Sequence, residues 1–319
     1  MPQRSACAAA GEALRVKRDL TSAPGGPVAL TIGNFDGMHR GHQAMLARLV
    51  EAAEDLRLLP AVLTFDPHPR EFFSPSNAPA RLSTLRSKLS LFRAYGVATT
   101  FVARFDARLA SRTADEFVSD ILENELHTRW LLVGEDFRFG RGRAGDLAFL
   151  RSAAREFSVE AMPTIAVDRQ RVSSTAVRNA LAAGNLALAA SLLGRNYSLT
   201  GHVAHGAKLG RSLGFPTMNL PLRHPPAMTG IFAVRVHGIG SVPRAGVASV
   251  GVRPTIHAGG KPIAEVYLFD FDQETYGRLI TVEFVHKLRD EARFPDLDAL
   301  KRQMIRDVAN ARDHFAAKE

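Results

Sequence analysis

Ten consecutive residues, Gly33-Asn34-Phe35-Asp36-Gly37-Met38-His39-Arg40-Gly41-His42, combine the parts needed to hold a phosphate. Glycines let main chain approach a ligand, and a helix that starts there offers unpaired N–H groups and the positive end of its dipole to phosphate oxygens. His39 and His42, three apart in that first turn, project to one side and can donate hydrogen bonds to charge developing on phosphorus. As isolated histidines they would face solvent or form a weak metal pair. Their place between the β-branched run Val28–Ile32 and the helical pattern Leu46, Leu49, Val50, Ala53, Leu56 favours phosphate chemistry instead.

Other residues carry similar possibilities. Ser173-Ser174-Thr175 precede a helical pattern (Val177, Leu181), with Arg178 one turn on. Alone, such a triplet is most often a helix cap; with the arginine it can also serve a triphosphate. Asp136-Phe137-Arg138-Phe139-Gly140 follows a strand ending at Val133, so its two aromatics could flank a flat ring while Gly140–Gly145 flexes.

In the second half, Gly206, Gly210 and Gly214 permit a loop around phosphates. Thr217 and Asn219, two apart in an extended segment, point the same way and offer hard oxygen ligands to magnesium. Ala264, Val266 and Leu268 form one apolar strand face, and Glu265 shares the other with Tyr267 and Phe269. That carboxylate is either a surface glutamate or a base. No G-x-x-x-x-G-K-[ST] occurs, so any kinase chemistry needs another phosphate cradle.

The elements that would position these residues fall into two textures. From Val28 to about Leu181, short apolar runs (Val28–Ile32, Ala61–Phe65, Thr99–Ala103, Trp130–Val133, Val159–Val167) alternate with helical patterns, including Ala114–Glu125 and Asp146–Phe157. This predicts an α/β fold, a doubly wound, Rossmann-like parallel sheet. After Gly194 glycine and proline become dense, and Phe232–Val236, Val247–Val252, Ile263–Phe271 and Leu279–Val285 read as strands with no helix between them. A small antiparallel β-barrel is expected there. Leu297, Leu300, Met304, Val308, Ala311 and Phe315 step by three and four behind Asp296, an N-cap, so one helix closes the chain. The expected boundaries are 1–184, with a loose leader over 1–24, a linker over 185–197 and a barrel domain over 198–319.

Composition narrows the function classes. With 46% hydrophobic and 23% charged residues among 319, the chain is neither disordered nor collagen-like, and two domains of about 150 residues fit its length. No apolar run is long enough to span a membrane, and the charged start predicts no signal peptide or anchor. The single cysteine, Cys7, leaves no disulfide framework or cysteine-ligated zinc, which points to the cytoplasm. A net charge of +9 asks for an anionic partner, either nucleic acid or a phosphorylated small molecule. The positive residues are scattered rather than run together, which weighs against nucleic acid.

The string G-x-F-D-G-x-H-x-G-H carries the H-x-G-H signature of nucleotidyltransferases. With Thr64-Phe65-Asp66-Pro67-His68-Pro69, Val133–Gly140 and Val172-Ser173-Ser174-Thr175, it resembles the FMN adenylyltransferase module of bacterial bifunctional riboflavin kinase/FAD synthetases. Gly201–Asn219 is similar to the riboflavin kinase motif G-x-V-x-x-G-x-x-x-G-R-x-L-G-F-P-T-x-N, and Gly251-Val252-Arg253-Pro254-Thr255 matches a further segment. The resemblance runs from about Val28 to the last helix.

It implies phosphorylation of riboflavin to FMN and adenylylation of FMN to FAD, with ATP as co-substrate and Mg²⁺. It implies Glu265 as general base in the first reaction, and His39, His42 and Arg178 as catalytic in the second. Gly33–Gly37, Ser173–Thr175, Gly206, Gly210, Gly214 and Arg253 would bind nucleotide, with Arg253 serving either phosphate or structure. Asp66, His68, Asp136, Phe137 and Phe139 would contact flavin, and Thr217 and Asn219 the metal. Tyr267, Ser249 and Met218 depart from the residues frequent in the family. The implied partners are small molecules, without nucleic acid or membrane and with self-association open. A barrel that binds flavin without catalysis, and an RNA-binding protein on a class I synthetase-like scaffold, are the rival readings.

Overall fold

The structure is a computed structural model and describes residues 13–21, 24–206, 213–252 and 262–317. By internal contacts the chain divides into two compact units. One takes the residues up to Pro79 together with Leu85–Val172; the other takes Ala80–Thr84 and everything from Ser173.

The first unit is built on six parallel strands: β1 (Arg15–Lys17), β2 (Val28–Ile32), β3 (Leu59–Phe65), β4 (Thr99–Ala103), β5 (Thr128–Gly134) and β6 (Ser158–Met162). Their order is β1-β4-β3-β2-β5-β6. All five residues of β2 are buried, as a central parallel strand covered on both faces requires. Val28, Leu30 and Ile32 face one core with Phe117, Ile121 and Leu122. Ala29 faces the other with Leu46, Leu49, Ala52 and Ala53 of the helix Arg40–Leu56. Helical layers on both faces make the unit doubly wound, as expected. The chain runs from β2 to β3 and β4 on one side, then returns for β5 and β6 on the other, so the switch point lies at the C-terminal ends of β2 and β5.

Three details differ from the expected elements. The leader is not loose throughout, because Arg15–Lys17 pairs in parallel with β4; edge pairing uses main-chain groups and needs no apolar pattern. The strand expected over Val159–Val167 stops at Met162, before Pro163, and resumes as a separate hairpin of β7 (Ala166–Val167) and β8 (Gln170–Arg171). Proline has no N–H to give to a ladder. The helix expected over Ala114–Glu125 is one α-turn, Ala114–Glu116, followed by a π-helix over Phe117–Glu125.

The second unit is a six-stranded antiparallel barrel of β9 (Ser198–His202), β10 (Thr217–Pro221), β11 (Gly230–His237), β12 (Arg244–Val252), β13 (Pro262–Leu268) and β14 (Leu279–Arg289), in the order β10-β13-β12-β11-β14-β9. An isolated bridge between Ala204 and Asn219, with Ala204 N–H donating to Asn219 O at 2.8 Å, joins the two edges. Met218, Val266, Ala248 and Phe232 are paired in one row across four strands and all face the interior. β9 and β10 escaped the sequence pattern: Ser198–Gly201 is half-buried without alternation, and Thr217–Pro221 follows one proline and ends on another.

The segment expected as a linker contains the helix Leu186–Leu193, capped by Asn185, which packs with Ser174–Ala182 in the second unit. The closing helix is Leu297–Ala316, and Asp296 accepts from Ala299 N–H at 2.6 Å as its N-cap. Ala311 and Phe315 pack on Ile231, Ala233 and Val247 of the barrel's outer face.

Candidate active sites

The turn between β2 and the helix Arg40–Leu56 sits at the switch point of the parallel sheet. Gly33 N–H donates to Leu63 O at 3.0 Å, and Phe35, Gly37 and Met38 then all take positive φ (48°, 81° and 47°). Two bulky residues in the left-handed region are costly and persist only where their surroundings fix them. Here both side chains are fully buried.

His39 is the N-cap of the helix, and its Nδ1 accepts from His42 N–H at 3.3 Å. A neutral His39 therefore carries its proton on Nε2, as a donor. The two imidazoles stack with centroids 3.6 Å apart. A Cβ on residue 41 would lie 3.2 Å from His39 Nδ1, which accounts for the glycine between them. Burial, then His39, then Lys88 hold His42 well below the usual histidine range, so it is a neutral donor at pH 7. Asn34 Oδ1 and His42 Nδ1 are buried with no hydrogen-bond partner among the described residues, as in a site shaped around a polar ligand.

The second site lies outside the barrel, under the closing helix. Strand register sets Asn219, Glu265, Ser249 and Ile231 in one row across β10, β13, β12 and β11, and Thr217, Tyr267, Val247 and Ala233 in the next. Residues of these rows line a cavity of about 570 Å³ whose other walls include Phe215, Phe294, Leu300, Met304 and Val308. That size and lining suit a flat aromatic ligand with a polar end. Glu265 thus stands between an amide and a hydroxyl on the polar side of an apolar pocket. Gly206 lies so close that a Cβ there would clash with the Asn219 side chain. Arg289 grips Asp307 through Nε (2.9 Å) and Nη2 (2.7 Å), tying β14 to the helix that roofs the cavity.

Residues 23–176 match the family model for FAD synthetase, and residues 193–315 that for riboflavin kinase. A bifunctional riboflavin kinase/FMN adenylyltransferase of Escherichia coli is 46% identical over 95% of this chain and 97% of its own. This chain belongs to the bifunctional riboflavin kinase/FMN adenylyltransferase family. The member from Pseudomonas fluorescens is 49% identical over 88% of this chain and 91% of its own. A solved structure titled as a macrolide-efflux protein of Streptococcus pneumoniae superposes with a TM-score of 0.76 at 27% identity, covering 92% of this chain and 97% of its own. Among the described residues here, no helix is long and apolar enough to cross a membrane.

Within this family frame, the structure shows what several of the expected site residues touch. Phe137 and Phe139 do not flank a free slot: their rings stack on each other at 5.5 Å, and Phe139 is buried in the core. The Gly140–Gly145 stretch expected to flex is tied off by the Phe139–Gly145 bridge. Asp136 is paired with Arg171. His68 caps the short helix Pro69–Phe73 in a reciprocal capping box with Glu71, and Asp66 N–H donates to Ala103 O at 3.0 Å. Ser173 caps the helix Ser174–Ala182 through Ala176 N–H at 3.1 Å, and Arg178 Nε donates to Ala80 O at 2.6 Å. These last residues belong to the second unit. Gly210 and Arg253 lie outside the described residues.

Sequence reasoning missed three features. Lys88, buried beside Asn34, was detectable as a lysine four residues before Phe92 on the same helix face. Phe72 and Phe73, both exposed, gather around Phe105 beyond the end of β3 with ring centroids 5.6 to 5.7 Å from it, which no local pattern announces. Glu291 lines the kinase-type cavity, and burial pushes its carboxyl up; its loop position carried no signal.

Proposed function

We propose that this protein converts riboflavin and ATP to FMN and ADP in the barrel unit, and FMN and ATP to FAD and pyrophosphate through the parallel-sheet unit. The observation that carries this reading is the match of donor type to nucleophile. The FMN phosphate is already anionic, so its attack on the α-phosphorus needs alignment and hydrogen-bond donors rather than a base. The His39–His42 pair offers imidazole donors, with His42 held neutral. The ribityl alcohol must lose a proton as its oxygen attacks the γ-phosphorus, and Glu265, between Asn219 and Ser249 on the wall of the cavity, is the carboxylate that accepts it.

The isoalloxazine fills the apolar part of that cavity, against Phe215 and Met304. In the parallel-sheet unit, the exposed Phe72–Phe73–Phe105 cluster supplies a stacking surface for the same ring.

Magnesium fits the residues present. Thr217 and Asn219 bring a hydroxyl and an amide oxygen to one face of β10, one row apart, with Glu265 opposite Asn219. These are the hard oxygen donors Mg²⁺ takes beside phosphate and water. Bound there, the ion would offset triphosphate charge. A cytoplasmic enzyme of small-molecule substrates agrees with the lone cysteine and the scattered charge.

The test is chromatography of the purified protein incubated with riboflavin, ATP and Mg²⁺, beside a tube started from FMN. FMN followed by FAD in the first tube, and FAD in the second, is the expected result. FAD from supplied FMN alone would make the barrel a binding module. FMN accumulating without FAD in either tube would overturn the reading of the first unit.

A further inference from the structure

Lys88 is 5% exposed and lies on the helix Leu85–Ala94, whose inner face carries two buried residues, Lys88 and Phe92. Lys88 Nζ donates to Asn34 O at 2.9 Å. One turn further, the Phe92 ring meets the Phe35 ring edge-on at 5.2 Å, and the Phe35 ring in turn lies 5.0 Å from His42. One helix face therefore grips two consecutive residues of the phosphate turn, and Phe35 is one of the residues held at positive φ. Burying an ammonium is expensive, and Phe92 shows that an apolar residue suits this face. A lysine here needs a purpose that packing does not supply.

We propose that Lys88 is a positioning residue for adenylyl transfer: its ammonium anchors the Asn34 carbonyl, so that the Gly33–Met38 turn keeps the shape in which it receives the phosphates of the nucleotide. Its charge also lies under the cradle and acts on His42. The titratable groups acting on His42 are His39 from its own turn and Lys88 from the facing helix, with Asp36 buried in the same turn. The inference rests on the reading of Gly33–His42 as the adenylyl-transfer site.

The test compares Lys88→Met, Lys88→Arg and His39→Ala in the full-length protein, assaying FMN adenylylation and riboflavin phosphorylation in each preparation. Lys88→Met is expected to lose about 30- to 100-fold in adenylylation kcat, the scale of a lost transition-state contact, with riboflavin phosphorylation within twofold of the parent. Lys88→Arg, which keeps the charge, recovers at least a third of the adenylylation rate. Removing the cation raises the His42 pKa, so the acid limb of the Lys88→Met profile moves to higher pH, while Lys88→Arg keeps the parent profile. Adenylylation by Lys88→Met within threefold of the parent, an unshifted acid limb, or an equal fall in both activities overturns the inference. Full adenylylation by His39→Ala overturns the site itself, which separates the two failures.

Discussion

The two units handle the same co-substrate with opposite chemistry. In the parallel-sheet unit the candidate groups are two stacked imidazoles, one of them held neutral, a strained main-chain turn and a buried lysine. In the barrel they are a carboxylate, an amide and hydroxyls on adjacent strands at the rim of an apolar cavity. The proton on the nucleophile accounts for the difference. A phosphate attacks as an anion and requires only charge stabilisation, whereas an alcohol requires a group to take its proton. The scaffolds follow suit: a helix start concentrates N–H donors, and a β-sheet face sets side-chain oxygens from neighbouring strands about 5 Å apart along each row.

Separate loss of the two activities is the sharpest way to break this contrast. Glu265→Gln should lower the riboflavin phosphorylation kcat by about 10²- to 10⁴-fold, the usual worth of a general base, and leave FMN adenylylation intact. Equal loss of both rates in parallel assays would mean that the units do not divide the chemistry. His42→Ala should do the reverse, costing adenylylation about 10²- to 10³-fold, as for a removed transition-state donor, with phosphorylation unchanged. Thr217→Val should raise the Mg²⁺ concentration needed for half-maximal phosphorylation by about tenfold, without shifting that for adenylylation.

A smaller effect distinguishes the units by pH. Because His42 is held well below its unfolded value of 6.5, the unfolded chain binds a proton that the folded chain refuses. Its contribution to stability is complete above that value and is lost as pH falls below it, down to the folded pKa. Trp130, the only tryptophan, is buried in β5 of the first unit and reports on that unit's unfolding. Urea midpoints followed by its fluorescence should fall between pH 7.5 and 5.5, and should fall less in His42→Asn. Smallest of all, Asp296→Ala should cost about 1 kcal/mol through the lost cap of the closing helix, with both reactions retained. Thermal unfolding of the barrel beside the two assays would check it.

Much of this was legible because local patterns and local chemistry coincide. Val28–Ile32 and Thr99–Ala103 read correctly to the residue, since a central parallel strand is apolar on both faces. The H-x-G-H turn was visible because a strand, glycines and a helix start follow one another directly. The barrel's edge strands were not, because half-buried pairing leaves a weak alternation. The surroundings of Phe137 and Phe139 were hidden for a related reason: aromatic type suggests stacking on a ligand, but only packing shows Phe139 in contact with Phe117, Phe137 and Phe149.

By itself the sequence determined the two textures, the glycine-rich turn after β2, the glycine-rich barrel motif and the face on which Glu265 lies, because each depends on residues close together in the chain. Tertiary structure alone decided what meets them. Strand register placed Asn219, Ser249 and Glu265 in one row from three separate strands, and helix packing brought Lys88 to Asn34 across 54 residues. Periodicity tells which way a side chain points from its own element. Which groups face it, and hence which proton it holds, is set by long-range pairing and burial.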